Sequence, residues 1–265
     1  MNKSDRDWNI QVYSRAVSFL EDITPAGINL EKYYVIKDSK IRNLRNVYYQ
    51  FIRSAQNYQQ MPNVIAFDSR KKDIEEILYG YDYKKISEMN PKNLYKEFRR
   101  RFKIKSEDSK YNSWSKWSNS IVDAAKFMKE FRNIEDFRSF VERFDYNVHT
   151  SMALPLLISE KINGIGFALA CDLLKELGFT RYPKPDVHLK EVFSKLGLSD
   201  DDPISTFEAI VRMSDICKDI DESVTPYKVD KIIWLICSGK YYLEKPMQKQ
   251  PGRKKEFIKL LSKEK

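Results

Sequence analysis

Gly164 and Gly166 flank Ile165 in a chain that has only eight glycines. Glycine takes positive φ and admits a neighbour where a Cβ would clash, so the pair can close a very tight turn. The amides of such a turn, with the positive end of the helix that follows, can bind a phosphate oxygen. Twenty positions after Gly166, behind the stretch "RYPKP", stands Asp186 at the head of "DVHLKEVF". A negative side chain at a helix start is favoured by the helix dipole, and a carboxylate there can stabilise a developing positive charge or take a proton from water. Plainer readings stand beside these: glycines that only end a helix and an aspartate that only caps one.

The elements that must position these residues read as helices. Asn90-Pro91, Asp202-Pro203 and Thr225-Pro226 each place a capping residue before a proline at the first helical position. "DWNIQVYSRAVSFLEDI", "KIRNLRNVYYQFIRSAQ", "SKWSNSIVDAAKFMKEF" and "PYKVDKIIWLICSGK" carry apolar residues at three- and four-residue intervals, the period of an amphipathic helix. Strands find little support, and the polar breaks near residues 104–112 and 198–203 read as loops. The basic tail from Lys245 either lacks order up to Gly252 or docks a short helix from about Lys254 through Phe257, Ile258, Leu260 and Leu261.

The residues from 161 to 193 resemble the signature of the helix-hairpin-helix DNA glycosylase superfamily, the group that contains endonuclease III and 8-oxoguanine glycosylase. In that family a hairpin of the form Leu-Pro-Gly-Val-Gly is followed by a Gly/Pro-containing loop and an essential aspartate in a context like Val-Asp-x-His-Val. Here "INGIG" stands for the hairpin, "GFTRYPKP" for the loop and "PDVHLKEVFSKLGL" for the segment with the acid. The resemblance implies an all-α, two-lobed fold, with one helical bundle over residues 45–178 ending in the hairpin. The second lobe is then assembled from residues 1–44 and 179–265, with a cleft between the lobes. It implies excision of a damaged, mispaired or modified base flipped out of double-stranded DNA, as in base excision repair, with Asp186 as the catalytic carboxylate. The hairpin residues Asn163, Gly164, Ile165, Gly166, Phe167 and Ala168 would lie against DNA, and the backbone carbonyls of Ile162 and Gly164 could hold a potassium or sodium ion.

Departures from the pattern sharpen the expectation. Members that also cut the backbone carry a lysine two residues after the second hairpin glycine, and this chain has Ala168 there. Alanine cannot form a Schiff base, so the expected product is an abasic site. The usual hairpin proline is replaced by Asn163, and the cysteine cluster that holds an iron–sulfur centre in some members is missing. Lys161 and Lys184 flank the hairpin and the acid; they read as phosphate contacts, with attack on the sugar as the alternative.

Other residues join by weaker echoes. "FIRSAQ" resembles the "LLSAQ" of endonuclease III-like members, which makes Gln56 a candidate wedge for the space the flipped base leaves, with Asn57 beside it; an exposed polar helix end is the alternative. His188 reads as a phosphate contact. Trp114, Trp117, Trp234 and Tyr241 are either core residues or walls of a base pocket.

Composition sets the bounds. Forty-seven Lys and Arg against thirty-eight Asp and Glu leave a formal charge of +9, which favours a polyanionic partner. No apolar run reaches the length of about 20 residues that a membrane span needs. The polar start "MNKSDRDWNIQ" is unlike a secretory signal, so the expected compartment is the cytoplasm, at the nucleoid in a bacterium. Three cysteines without Cys-x-x-Cys spacing give no disulfide framework, zinc site or iron–sulfur cluster. The expectation is a monomeric, monofunctional glycosylase that requires no cofactor. The alternative is a helix-hairpin-helix protein that binds DNA without cutting the glycosidic bond.

Overall fold

A computed structural model describes residues 3–35, 41–57 and 61–264. The chain is predominantly helical. It opens with α1 (Lys3–Ile23) and the short α2 (Glu31–Tyr34). Among the described residues nine α-helices follow: α3 (Leu44–Ala55), α4 (Met61–Ile65), α5 (Lys71–Ile77), α6 (Tyr83–Ser87), α7 (Pro91–Arg101), α8 (Ser113–Lys129), α9 (Ile134–Glu142), α10 (Val148–Lys161) and α11 (Phe167–Glu176). After them come α12 (Val187–Lys195), α13 (Pro203–Cys217), α14 (Pro226–Ser238) and α15 (Lys254–Leu261), with β1 (Lys240–Tyr241) and β2 (Gln248–Lys249) between the last two. No described helix is long and apolar enough to cross a membrane.

The chain divides into two units, a central one (Ser39–Leu177) and a terminal one built from Met1–Asp38 and Gly178–Lys265. The first boundary falls before residue 45 because Ile41 and Leu44 are already buried and Arg138 donates to the Ile41 carbonyl at 3.0 Å.

In the central unit, α3, α6 and α7 pack on α8. Trp114 and Trp117 project from α8 into this core and are almost completely buried. Trp117 stacks on Phe98 at 5.3 Å and donates its indole N–H to the Ile52 carbonyl at 3.0 Å. Trp114 stacks on Phe102 at 5.0 Å, with the Arg70 guanidinium 5.4 Å from its ring. A base-pocket role for these two residues is therefore corrected: each ring already has partners on its faces, and burial of that area holds the bundle together.

In the terminal unit, α1 packs on α13 and α14, and α12 packs on α13, α14 and α15. The buried side chains of Val12, Ala16, Leu20, Phe193, Ile210, Ile233 and Ile236 form its centre. The tail docks as a helix that begins at Lys254, with Phe257 and Leu261 buried. The residues before it pair as a short antiparallel ribbon, Lys240 opposite Lys249 and Tyr241 opposite Gln248. Gly239 closes α14 at φ +62, and a Cβ there would sit 2.2 Å from the Gln250 carbonyl oxygen. The ribbon can therefore reach the helix end only because residue 239 is glycine. Tyr241 is fully buried, edge-on to Tyr33 at 6.2 Å, and its hydroxyl accepts from Gln250 Nε2 at 3.0 Å. It is a core residue, which corrects its assignment to a base pocket.

Candidate functional site

Asp186 lies in the terminal unit on the segment that leads from Gly178 to α12. This segment is anchored along its length. Tyr182, Pro183 and Pro185 are buried, Arg181 pairs with Asp215 at 3.1 Å, and α14 holds the segment at two points. The amide of Tyr227 donates to the Thr180 carbonyl at 3.0 Å, and the amide of Lys184 donates to Asp230 Oδ2 at 2.7 Å. The two prolines fix φ and restrict the residue before each, so the backbone that presents Asp186 is stiff.

Asp186 has extended backbone angles and caps α12. Its Oδ1 accepts from the amides of His188 at 2.8 Å and Leu189 at 3.1 Å. Both cap bonds fall on the same oxygen. No described residue donates to Oδ2, and the side chain is half-buried. The carboxylate thus divides its work: one oxygen holds the helix, and the other is left to face whatever approaches. His188 is partly exposed and its Nδ1, as placed, has no partner. Lys184 is likewise partly exposed. Cys237 lies close enough to feel Asp186; burial first, then the charges of Asp186 and Glu191, push its thiol up to about 12 against the opposing pull of Lys254. It is a neutral packing residue, not a nucleophile.

The paired glycines lie in the central unit, in the turn between α10 and α11. Gly164 has φ +81, and a Cβ on it would lie 2.8 Å from Ser120 Oγ. Ser120 cannot readily give way, because its hydroxyl donates to the Asn163 carbonyl. Ile165 is buried, and its amide donates to the Ile162 carbonyl at 3.2 Å. Asn163 donates twice to Asp123 Oδ2, from its side chain at 2.6 Å and its main chain at 3.3 Å. A proline at 163 would lose the second bond. Asp123 also places a negative charge beside the turn, which opposes an incoming phosphate.

Gly166 is exposed and begins α11 with no side-chain cap. Phe167 and Ala168 on the first turn are partly exposed, and Lys161 is exposed. An uncapped helix start next to an exposed glycine is suited to an anion. The Ile162 carbonyl accepts one hydrogen bond, from Ile165, and a carbonyl has a second lone pair.

Gln56 differs from its sequence expectation. It is 8% exposed, and its Oε1 has no partner. With Gln50, Arg53, Asn57, Asp172 and Glu176 it lines a polar cavity of about 460 Å³ within the central unit. A wedge must protrude, and this glutamine points inward; residues 58–60 of the same stretch lie outside the described residues. Among the described residues no group of His, Cys, Asp and Glu is placed to hold a metal ion.

A further cluster carries no sequence motif. Lys231 on α14 is 7% exposed, and its ammonium lies over the rings of Tyr242 at 5.1 Å, Tyr227 at 5.3 Å and Trp234 at 5.8 Å. The spacing Tyr227, Lys231, Trp234 follows one helix face, and a lysine inside such an apolar face was the available signal. Comparison of the chain with family models, with curated proteins and with solved structures returned no match.

Proposed function

We propose that this protein is a monofunctional DNA glycosylase of the helix-hairpin-helix type, acting on a base turned out of the duplex and leaving an abasic site. The observation that carries the reading is the division of the Asp186 carboxylate, with Oδ1 committed to two amides and Oδ2 to none among the described residues. The uncapped α11 start, the strained-to-replace Gly164 and the net charge of +9 support it.

In this reading the α10–α11 turn binds a backbone phosphate, with Lys161 adding charge, and such contacts offset the cost of a few kcal/mol for unstacking the target nucleotide. The N-glycosidic bond then breaks with its electron pair left on the base nitrogen, and C1′ becomes positively charged. Asp186 Oδ2 stabilises that charge and takes the proton of the water that adds to C1′. The proton ends on the departing base or in solvent, so only water is consumed. Ala168 offers no amine, so no covalent enzyme–sugar adduct forms and the strand stays intact. A monovalent ion on the Ile162 and Gly164 carbonyls would strengthen phosphate binding electrostatically.

The test is a panel of duplexes carrying uracil, hypoxanthine, 8-oxoguanine, alkylated bases or mismatches, followed by alkali. Alkali-labile sites formed by the wild type and not by Asp186→Asn support the proposal, and borohydride should trap no adduct. A non-catalytic DNA-binding protein is the second reading, favoured by the ordinary lengths of the two cap bonds. Equal duplex affinity of wild type and Asp186→Asn without any abasic product would establish it.

A further inference from the structure

We propose that Lys231, with the rings of Tyr227, Trp234 and Tyr242, is the site that receives the extruded base, and that it selects bases bearing carbonyl oxygens over bases bearing positive charge. This inference rests on the glycosylase reading for its substrate but on separate residues for its evidence. Buried lysines are normally paired with an acid. In the same chain the buried Lys175 is paired with Asp172 at 3.3 Å, and the partly buried Lys228 with Asp221 at 2.8 Å. Lys231 departs from that rule: three rings surround its ammonium, and no hydrogen bond or ion pair to a described residue accompanies them.

Ring faces attract a cation, but they do not replace acceptors for its three N–H donors. Those donors remain available to a ligand that brings oxygen. The rings supply the other half of base recognition. Trp234 is partly exposed and Tyr242 is 40% exposed, and they meet edge to face at 5.8 Å. The exposed parts of these rings offer planar apolar area beside the ammonium. The cluster also sits on the helix that anchors the Asp186 segment, through Tyr227 and Asp230, the latter adjacent in sequence to Lys231. Both groups thus belong to the terminal unit and to one rigid connection.

The chemistry follows from the charge. Uracil, hypoxanthine, xanthine and 8-oxoguanine present carbonyl oxygens, and each takes the electron pair of the broken bond as negative charge partly on those oxygens. A lysine ammonium stabilises that leaving group. A base alkylated on a ring nitrogen is already cationic, so the same ammonium repels it.

The experiment combines excision with binding of free bases. Wild-type protein should excise at least one carbonyl-bearing base faster than 7-methylguanine or 3-methyladenine. Lys231→Met should lower that rate by about ten- to a hundredfold, the loss of one charge-assisted hydrogen bond, and Lys231→Arg should retain most of it. Independently, free xanthine should quench the fluorescence of Trp234, identified by its loss in Trp234→Phe, and 7-methylguanosine should not. Excision that prefers the cationic bases, or that is indifferent to Lys231→Met, overturns the inference and leaves the glycosylase reading standing. Quenching by xanthine that Lys231→Met abolishes, with no lesion excised, supports the site and removes the glycosylase reading. Neither excision nor quenching overturns both. If Lys231→Met does not fold, the wild-type base ranking and the xanthine titration decide alone.

Discussion

Asp202 and Asp186 each hold the first turn of a helix through Oδ1, with two amide bonds of similar length: 2.8 and 3.0 Å at Asp202, 2.8 and 3.1 Å at Asp186. Their second oxygens differ. Asp202 Oδ2 accepts the hydroxyl of Ser205 at 2.5 Å, three residues on. In the central unit Asp82 caps α6 in the same way and has Lys85 at the third helical position, 3.9 Å from its Oδ2. The residue at that position after Asp186 is Leu189, whose side chain is buried and offers no donor. Asp221 marks the other extreme. Its Oδ2 accepts from Tyr13 at 2.5 Å and Lys228 at 2.8 Å, and its Oδ1 from the Ser223 hydroxyl at 2.6 Å and amide at 3.0 Å. A carboxylate whose four lone-pair directions are filled by its own chain can do only structural work, whereas one with an unengaged oxygen at the surface has capacity for chemistry.

The largest expected effect breaks the contrast at Asp186. Asparagine caps helices about as well as aspartate, so Asp186→Asn should keep the α12 cap and leave the unfolding midpoint nearly unchanged. The loss of the anionic oxygen should lower excision by about three orders of magnitude, in line with removal of one preorganised charge from a transition state. Single-turnover kinetics on the best duplex of the lesion panel, beside a thermal melt, separates the two. A melt that collapses while the residual rate per folded molecule is unchanged would make Asp186 a cap and nothing else.

Asp221→Asn should do the reverse. Burial pushes the Asp221 carboxyl up, but hydrogen bonds from Lys228, Ser223 and Tyr13 and the Lys228 charge outweigh it and hold it well below the usual carboxylate range. Hydrogen bonds to a charged group contribute about 1.5–3 kcal/mol each, and partial exposure of the pair places the expected loss of stability at about 2 kcal/mol. A depressed folded-state value means that this stability is fully present above the unfolded value of about 4 and is lost as the pH falls below it. Urea unfolding of wild type and Asp221→Asn should therefore diverge at pH 7 and converge toward pH 2, with excision per folded molecule equal in both.

Gly164→Ala applies the comparison to the central unit. The new Cβ meets Ser120 Oγ and the residue must hold positive φ, which should cost about 1 kcal/mol or more. If the turn is a phosphate site, duplex affinity should fall as well, and more steeply at low salt. Unchanged affinity in a folded variant would remove the turn from the interface.

How far the sequence revealed all this depended on whether the deciding interaction was local. The three cap-proline starts are helix starts in the structure, with Asn90, Asp202 and Thr225 each accepting from the first turn, because capping involves residues only two or three apart. The apolar spacing of the tail allows a helix from about Lys254 but leaves lack of order up to Gly252 open, and the structure shows the docked helix. The ribbon was not legible, since two-residue strands are too short to show a period of two. Trp114 and Trp117 could be placed on one helix face but not assigned to core or pocket, because that depends on Phe98 of α7 and Phe102 just beyond it. Tyr241 and Tyr242 differ only in which way each faces, buried against exposed, and no side-chain pattern near them reveals the register. The resemblance of "FIRSAQ" makes Gln56 a protruding wedge, with an exposed helix end as the alternative; the cavity that receives it is assembled partly from distant residues such as Asp172 and Glu176. The acid itself is visible as a motif, and Leu189 at the third helical position, which leaves the acid an oxygen to spare, is an equally local feature of the sequence.

The smallest expected effect tests whether a spare oxygen is sufficient. Ser205→Ala takes from Asp202 the hydroxyl that lowers its carboxyl below the ordinary range, the largest of the interactions doing so, and leaves the two amide bonds in place. Asp202 would then have the bonding pattern of Asp186. Its titration, followed by NMR, should move up toward the ordinary carboxylate value, and stability at pH 7 should drop by about 0.5–1 kcal/mol, the worth of one hydrogen bond. Excision should not change, because the carboxylate that the glycosylase reading uses is that of Asp186, on the segment tied through Tyr227 and Asp230 to the helix that carries Lys231. A gain of activity from Ser205→Ala, or rescue of Asp186→Asn by it, would show that an unengaged carboxylate oxygen matters wherever it lies, and the position of Asp186 would lose its significance.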